Sequence, residues 1–397
     1  MANIVKRGEN SYLFTVSLGK DARGKYPRET MTYIVEGKFT PKQLEEHLKG
    51  EYLKFKNQVL SGNYVRPSKM NFTDFVSEWE KKYASKLAGT TYGNHQRKLT
   101  DHITPVIGHM EMIKINELII LDLLDNLQRK DGKTGELSFH SKQDIYRTLQ
   151  SIFKYAVKWK VITDNPMENV DKPKAADTEY DQKELQVYDE EEISQLMELV
   201  QNEPDHWRII FTLALAAGLR RGELLGLEWK NIDFVNNQIE IKQTIVLTKA
   251  GPHIKRTKTK SSKRVVTLPI SMMNELKVYR KKWVKEKLKY ADIWEEEEHE
   301  WVFCNEKGHH LHPSSPSNKW RKFLIANEFK YIRLHDLRHT SASILIAQGV
   351  HAKIISERLG HSDISITMNT YGHAFKSADR AAADKLEMLF SPQSKSK

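Results

Sequence analysis

Six side chains in this 397-residue sequence have the types needed for phosphoryl transfer through a protein nucleophile. Tyr371 is the nucleophile candidate. A tyrosine oxygen is a poor nucleophile until it loses its proton, and it forms a stable phosphodiester once attached. Cations must hold the non-bridging oxygens as negative charge builds on them. Arg220 and Arg338 suit that task, because a guanidinium is planar, always charged and grips phosphate oxygens as a fork. His335 and His361 can donate hydrogen bonds or carry the tyrosine proton. A lysine, Lys258 or Lys260, can protonate a departing oxygen. The set contains every function such a cut requires and calls for no metal.

Spacing places these residues on elements that can fix them. An apolar run from Trp207 to Ala217 predicts a helix ended by Gly218. A second helix begins near Arg221 and carries Leu224, Leu225 and Leu227, so Arg220 sits at the junction. His335 and Arg338 are three apart and share one helix face. That helix runs on through Ser341, Ala342, Ile344, Leu345 and Ile346 to Gly349-Val350. Ile354, Ile355 and Leu359 build the next one, which Gly360 stops just before His361. The stretch Thr257-Lys258-Thr259-Lys260-Ser261-Ser262-Lys263-Arg264 follows a β-like run from Ile239 to Leu247. It predicts a hairpin or three-stranded sheet with a lysine-loaded turn that can enter a DNA groove. Each feature alone has a plain reading, as a helix-end arginine or a solvated basic turn.

In order and spacing these segments resemble the tyrosine recombinase family. The resemblance rests on Gly218-Leu219-Arg220-Arg221-Gly222-Glu223-Leu224, on His335-Asp336-Leu337-Arg338-His339-Thr340, on Leu359-Gly360-His361-Ser362 and on Asn369-Thr370-Tyr371. It implies that Tyr371 forms a 3′-phosphotyrosine link and frees a 5′ hydroxyl. Arg220 and Arg338 would then clamp the scissile phosphate, with His335 and His361 assisting and Glu223 supporting them from behind. Lys258 is the favoured general acid and Lys260 its competitor. His339 and His373 read as structural. The implied activity is that of an integrase that inserts and excises a mobile element, with no cofactor, neither ATP nor metal. The alternatives are a Xer-like recombinase, a type IB topoisomerase, a DNA-binding regulator with a vestigial site, and a metal-dependent nuclease using His309, His310 and His312.

The expected fold is multidomain and mainly α. A small β-rich arm-binding module spans 1–60, with Thr40, Pro41 and Gln43 starting its helix. A helical SAM-like core-binding domain spans 67–167, and a polar linker 168–185. An α+β catalytic domain with a small antiparallel sheet spans 186–390, before a disordered tail at 391–397. The formal net charge of +11 draws such a chain to phosphate backbones. Lys20, Arg23, Lys25, Lys260, Lys263 and Arg264 are the expected DNA contacts. Expected partners are double-stranded attachment sites, further copies of the chain in a tetrameric synapse, a DNA-bending host factor and an excisionase. The lone Cys304 excludes an intramolecular disulfide and reads as part of a buried strand. The apolar stretch from Ile209 to Leu219 is too short to cross a bilayer, and no signal-peptide core opens the chain. A cytoplasmic, nucleoid-associated protein is expected. An apolar helical stripe from Ala374 to Phe390 is expected to dock on a neighbouring protomer.

Overall fold

The structure, a computed structural model, describes residues 3–20, 24–61, 69–130, 132, 136–174, 186–256, 263–295 and 298–371. It comprises two compact units, Met1–Glu179 and Tyr180–Lys397. The chain is mainly helical with small antiparallel sheets.

The first unit opens with an antiparallel sheet in the order β1 (Ile4–Lys6), β2 (Ser11–Ser17) and β3 (Arg28–Ile34). Alternation along β2 buries Tyr12, Phe14 and Val16 against Leu48, Phe55 and Val59 of α1 (Pro41–Leu60). Thr40 and Gln43 form the capping box at the start of α1, with Pro41 in its first turn. Lys20 and Lys25 flank the connection between β2 and β3 and are exposed. Arg23 lies outside the described residues.

Five helices follow: α2 (Phe72–Lys82), α3 (Gly89–Lys98), α4 (Thr104–Ile107), α5 (Glu117–Asp125) and α6 (Phe139–Lys158). Asn71, Asn116 and Ser138 cap α2, α5 and α6 through their side chains. The apolar stripes visible in the sequence meet as one core, with Phe72, Phe75 and Trp79 packed among Ile120, Leu149, Ile152 and Phe153.

The second unit starts with α7 (Glu190–Val200), α8 (Asp205–Ala216) and the single-turn α9 (Arg221–Leu225). Its strands are β4 (Ile232–Asp233), β5 (Gln238–Ile241), β6 (Gln243–Thr248), β7 (Gly251–Arg256) and β8 (Arg264–Thr267). Helices α10 (Ile270–Lys289), α11 (Ser315–Ala326), α12 (Asp336–Ala347) and α13 (Ala352–Leu359) follow, and the described residues end in helical residues 364–371, with Tyr371 last. The buried helix α8 centres the core, touching Trp320 and Phe323 of α11 through Phe211.

The sheet differs from the expected hairpin around the lysine stretch. β6 pairs with β7, and the chain turns at Lys249-Ala250 into Gly251, whose φ of +104° favours glycine. β8 pairs instead with β5, in a separate sheet of order β4-β5-β8. The lysine stretch therefore joins two sheets, and residues 257–262, with Lys258 and Lys260, lie outside the described residues. Cys304 also departs from expectation. It is half-buried in an isolated bridge with His310, and its sulfur accepts a hydrogen bond from Trp283 Nε1 at 3.2 Å. Burial pushes its thiol up to about 11.

Arg264 is the clearest correction. Expected to face DNA, it is buried, because alternation along β8 turns Arg264 and Val266 inward and Val265 and Thr267 outward. Its Nη1 and Nη2 donate to Glu223 Oε1 and Oε2 at 3.1 and 2.7 Å, and its Nε donates to the Arg358 carbonyl at 2.7 Å. The pair ties α9 to β8 and, through Arg358, to α13. Burial alone would raise the Glu223 carboxyl. The hydrogen bonds and charge of Arg264, with help from Arg220, overcome that and hold it down to about 2.

Two stability predictions follow from this junction. A Cβ at Gly222 would lie 2.2 Å from Thr244 Oγ1 and 2.7 Å from the Ile245 carbonyl oxygen. Gly222→Ala therefore forces α9 off β6 and is expected to cost about 1–3 kcal/mol in denaturant unfolding. Glu223→Gln leaves Arg264 buried without a counter-charge and is expected to cost about 3–5 kcal/mol at neutral pH. Because the carboxyl is depressed in the folded state, its contribution is present above the unfolded carboxylate range and is lost as pH falls towards 2. The gap between wild type and Glu223→Gln should narrow over that range, and a gap that stays constant would contradict the pairing.

Candidate active site

Four segments of the second unit bring the sequence-derived site residues together. The first is the α8–α9 junction. Gly218 takes a φ of +59° to end α8, and a Cβ there would sit 2.5 Å from Leu359 Cδ2, so α13 packs directly on the turn. Arg220 then caps α9. Its backbone N–H donates to Glu223 Oε2 at 2.9 Å and its Nη1 to Glu223 Oε1 at 2.8 Å. Its Nη2 donates to the Gly360 carbonyl at 3.3 Å, across to the turn that precedes His361. The Arg220 side chain is still 41% exposed, so a ligand can reach it from solvent.

The second segment is α12. His335 caps it, and Arg338 lies one turn in at 2% exposure. Arg338 Nη1 donates to the Gly218 carbonyl at 2.7 Å, while its Nη2 is buried without a hydrogen-bond partner. Burial first and the Arg220 charge second pull its guanidinium down to about 9. Both effects mark a surplus of buried positive charge. A bound anion would relieve the repulsion and take the unused donor.

The third segment is the turn after α13. Gly360 adopts a left-handed φ of +68° and releases the chain so that His361 Nδ1 meets Thr367 Oγ1 at 2.7 Å. Burial, then the Arg338 and Arg220 charges, push His361 down to about 4. His335 is lowered for the same two reasons, burial and Arg338. Both imidazoles are therefore neutral near pH 7, each with one N–H to donate.

Tyr371 is the fourth segment and the last described residue. It is 2% exposed and packs with Ala342, Ile346, Ile355 and Leu359. Burial raises its hydroxyl to about 12, and Arg338 partly offsets that. Its Oη lies 2.7 Å from His339 Nδ1. The sequence reading makes His339 structural, and the structure places it on the candidate nucleophile. The signal was present in the sequence, since His339 is four residues from His335 and so shares its face of α12. The sequence carried no sign that Tyr371 would fold back onto that face.

Arg220, Glu223, His335, Arg338, His361 and Tyr371 thus come from four separate stretches to one place. Lys263 is exposed just ahead of β8. Lys20 and Lys25 belong to the first unit, and His373 lies outside the described residues. Elsewhere, His309, His310 and His312 each bond separately, to Glu295, the Leu311 carbonyl and Ser314. Among the described residues no three metal-ligating side chains converge. No described helix is long and apolar enough to cross a membrane.

Comparison with known proteins agrees with this geometry. The Phage integrase family matches residues 186–378, and the Phage integrase N-terminal SAM-like domain matches residues 71–128. A tyrosine recombinase, described as XerC-like, from Caldanaerobacter subterraneus subsp. tengcongensis is 31% identical over 98% of both chains. The ICEBs1 integrase of Bacillus subtilis is 29% identical over 75% of this chain and 77% of its own. Among solved structures, the Tn1549 transposon integrase in complex with a circular intermediate DNA superposes with a TM-score of 0.65. It is 17% identical and covers 80% of this chain and 99% of its own. With a 31% identical relative matched over 98% of both chains and two family models matched, this chain belongs to the phage integrase family of tyrosine recombinases.

Proposed function

We propose that this protein is the integrase of a mobile element and cuts and rejoins duplex DNA through Tyr371. The observation that carries the reading is the buried, unpartnered Nη2 of Arg338 beside Arg220, two guanidinium groups placed to hold an anion. A scissile phosphate supplies that anion. Arg220 and Arg338 hold its non-bridging oxygens, and neutral His335 and His361 donate further hydrogen bonds. Tyr371 Oη bonds to phosphorus as the bond from phosphorus to the 5′ oxygen breaks. Lys258, or Lys260, gives that oxygen a proton. The phosphate stays on the 3′ strand as a phosphotyrosine, which conserves the bond energy, so ATP is not needed. Glu223 touches no substrate and acts by holding Arg220 in place.

Joining two duplexes requires four strand cuts, and each chain carries one nucleophile. A tetrameric synapse follows, with residues after Ala374, outside the described part, docking on a neighbouring protomer. The N-terminal sheet module, with Lys20, Arg23 and Lys25, reads as a second DNA contact beside the core-binding domain. A DNA-bending host protein and an excisionase are the expected partners for direction, acting in the cytoplasm at the nucleoid. A Xer-like role is the second reading. It is favoured by one observation: the XerC-like relative shares the whole length of this chain, N-terminal module included.

Trapping on a nicked suicide substrate tests the proposal. DNA from the ends of the encoding element is expected to give a covalent band with wild type in excess chelator. Tyr371→Phe should give none, and a band surviving in that variant would assign the nucleophile elsewhere. A two-site recombination assay on element ends against a chromosomal dimer-resolution site separates the two readings. Non-covalent affinity, measured with Tyr371→Phe, should fall by about 10³–10⁵ between roughly 50 and 200 mM salt. Insensitivity to salt would exclude a phosphate-clamping mode.

A further inference from the structure

Tyr371 presents a proton-transfer problem that the proposed cleavage leaves open. Its Oη must shed a proton to bond to phosphorus, yet the residue is 2% exposed and its hydroxyl is held up at about 12. Bulk water is a poor acceptor for a group so enclosed. The protein has to take the proton, and the neighbours narrow the choice. Arg220 and Arg338 are cations without a lone pair to offer. His361 turns its Nδ1 to Thr367 Oγ1, and the His335 ring stands edge-on to His339. His339 is the imidazole hydrogen-bonded to the Tyr371 oxygen, with its Nδ1 2.7 Å away, within the range of a direct O–H···N bond.

We propose that His339 is the base for Tyr371, taking the Oη proton on its Nδ1 as Oη bonds to the scissile phosphorus. This inference rests on the cleavage reaction proposed above. In balance, the O–H bond of Tyr371 breaks, the bond from Oη to phosphorus forms and the bond to the 5′ oxygen breaks. The leaving oxygen takes its proton from a separate acid, so His339 ends as an imidazolium. On rejoining, the 5′ hydroxyl gives its proton back to that acid as it attacks phosphorus, the bond from phosphorus to Oη breaks, and the imidazolium returns its proton to Oη. The step needs the tautomer with hydrogen on Nε2, which leaves Nδ1 as acceptor.

The surroundings suit this cycle. The charged and titratable groups around His339 are His335, Asp336, Arg338 and Arg333 from α12 and its approach, His361 from the turn after α13, and Tyr371 itself. Burial first, then His335, hold the imidazole down to about 4, so it is neutral and free to accept near pH 7. Negative charge gathering on the phosphate during attack favours the protonated form at the moment it is needed. The His335 ring stands edge-on at 5.3 Å between centroids, which fixes the His339 ring against α12.

Single-turnover capture of a suicide substrate by the full-length protein, across about pH 6 to 9, tests the role. Wild type should show little pH dependence there. His339→Ala should lose about 100-fold or more at neutral pH, then recover roughly tenfold per pH unit as hydroxide replaces the missing base. Added imidazole should restore part of its rate. His339→Asn keeps a hydrogen-bond acceptor near Oη but cannot accept a proton. It should fold, bind DNA as wild type does and show the same loss. Capture by either variant within about threefold of wild type would overturn the proposal. So would a pH-independent loss that imidazole does not answer in a protein that folds and binds DNA. If wild type itself forms no phosphotyrosine, the cleavage reading fails and this inference falls with it. If wild type captures DNA and the His339 variants do so equally well, only this inference fails.

Discussion

Three guanidinium groups converge in the second unit, from Arg220, Arg264 and Arg338, and the carboxylate that pairs with two of them is Glu223. Breaking such a buried pair from one side is costly, because the remaining charge cannot return to water. Glu223 spends all of its acceptor capacity on Arg220 and Arg264, and none reaches Arg338. Arg338 leans on the Gly218 carbonyl and keeps one buried donor unused. The fold thus stores a local excess of positive charge on rigid helix ends. It tolerates this because α8, α12 and α13 are fixed by apolar packing on the other side. A bound anion would take that unused donor and relieve the repulsion between Arg338 and Arg220.

The histidines respond to that field. Burial disfavours an imidazolium, and nearby positive charge adds to the effect, so His335, His339 and His361 are all pushed towards neutrality. Neutral imidazoles can donate from one nitrogen and accept at the other, which a cation cannot do. The fixed positive charge therefore belongs to the arginines, and the histidines are the groups able to exchange a proton. Among the described residues the hydrogen-bond partner of the Tyr371 hydroxyl is an imidazole, not a carboxylate.

Backbone geometry sets where these side chains meet. Gly218 and Gly360 sit in left-handed turns at the ends of α8 and α13, and both have packed side chains where a Cβ would stand. The first turn delivers Arg220 to α9, and the second delivers His361 beside it. Arg220 bonds to the Gly360 carbonyl and so links the two turns directly. Glu223 on α9 and Arg264 on β8 brace the same region. Positioning depends on these short connections, and the residues that form them need not touch a substrate.

Much of this was legible in the sequence. Helical periodicity located α8, α12 and α13, the glycines marked their ends, and the box-like spacing of Arg220, His335, Arg338, His361 and Tyr371 identified the chemistry and the family. Local rules suffice for these because helix phase, capping and turn preference are set within a few residues of chain. The fate of individual polar side chains was decided elsewhere. Arg264 looked like one more basic residue in a lysine-rich turn. The pairing of β8 with β5 turned it inward, and Glu223, 41 residues away, captured it. His339 looked incidental until the chain after α13 returned Tyr371 to its ring, 32 residues distant in sequence. Strand partners and returning segments are long-range choices made by the packing of the whole core. Residue types and spacing determined which reaction this protein is equipped for, and tertiary structure alone decided which charges are buried, which are paired and which imidazole stands beside Tyr371.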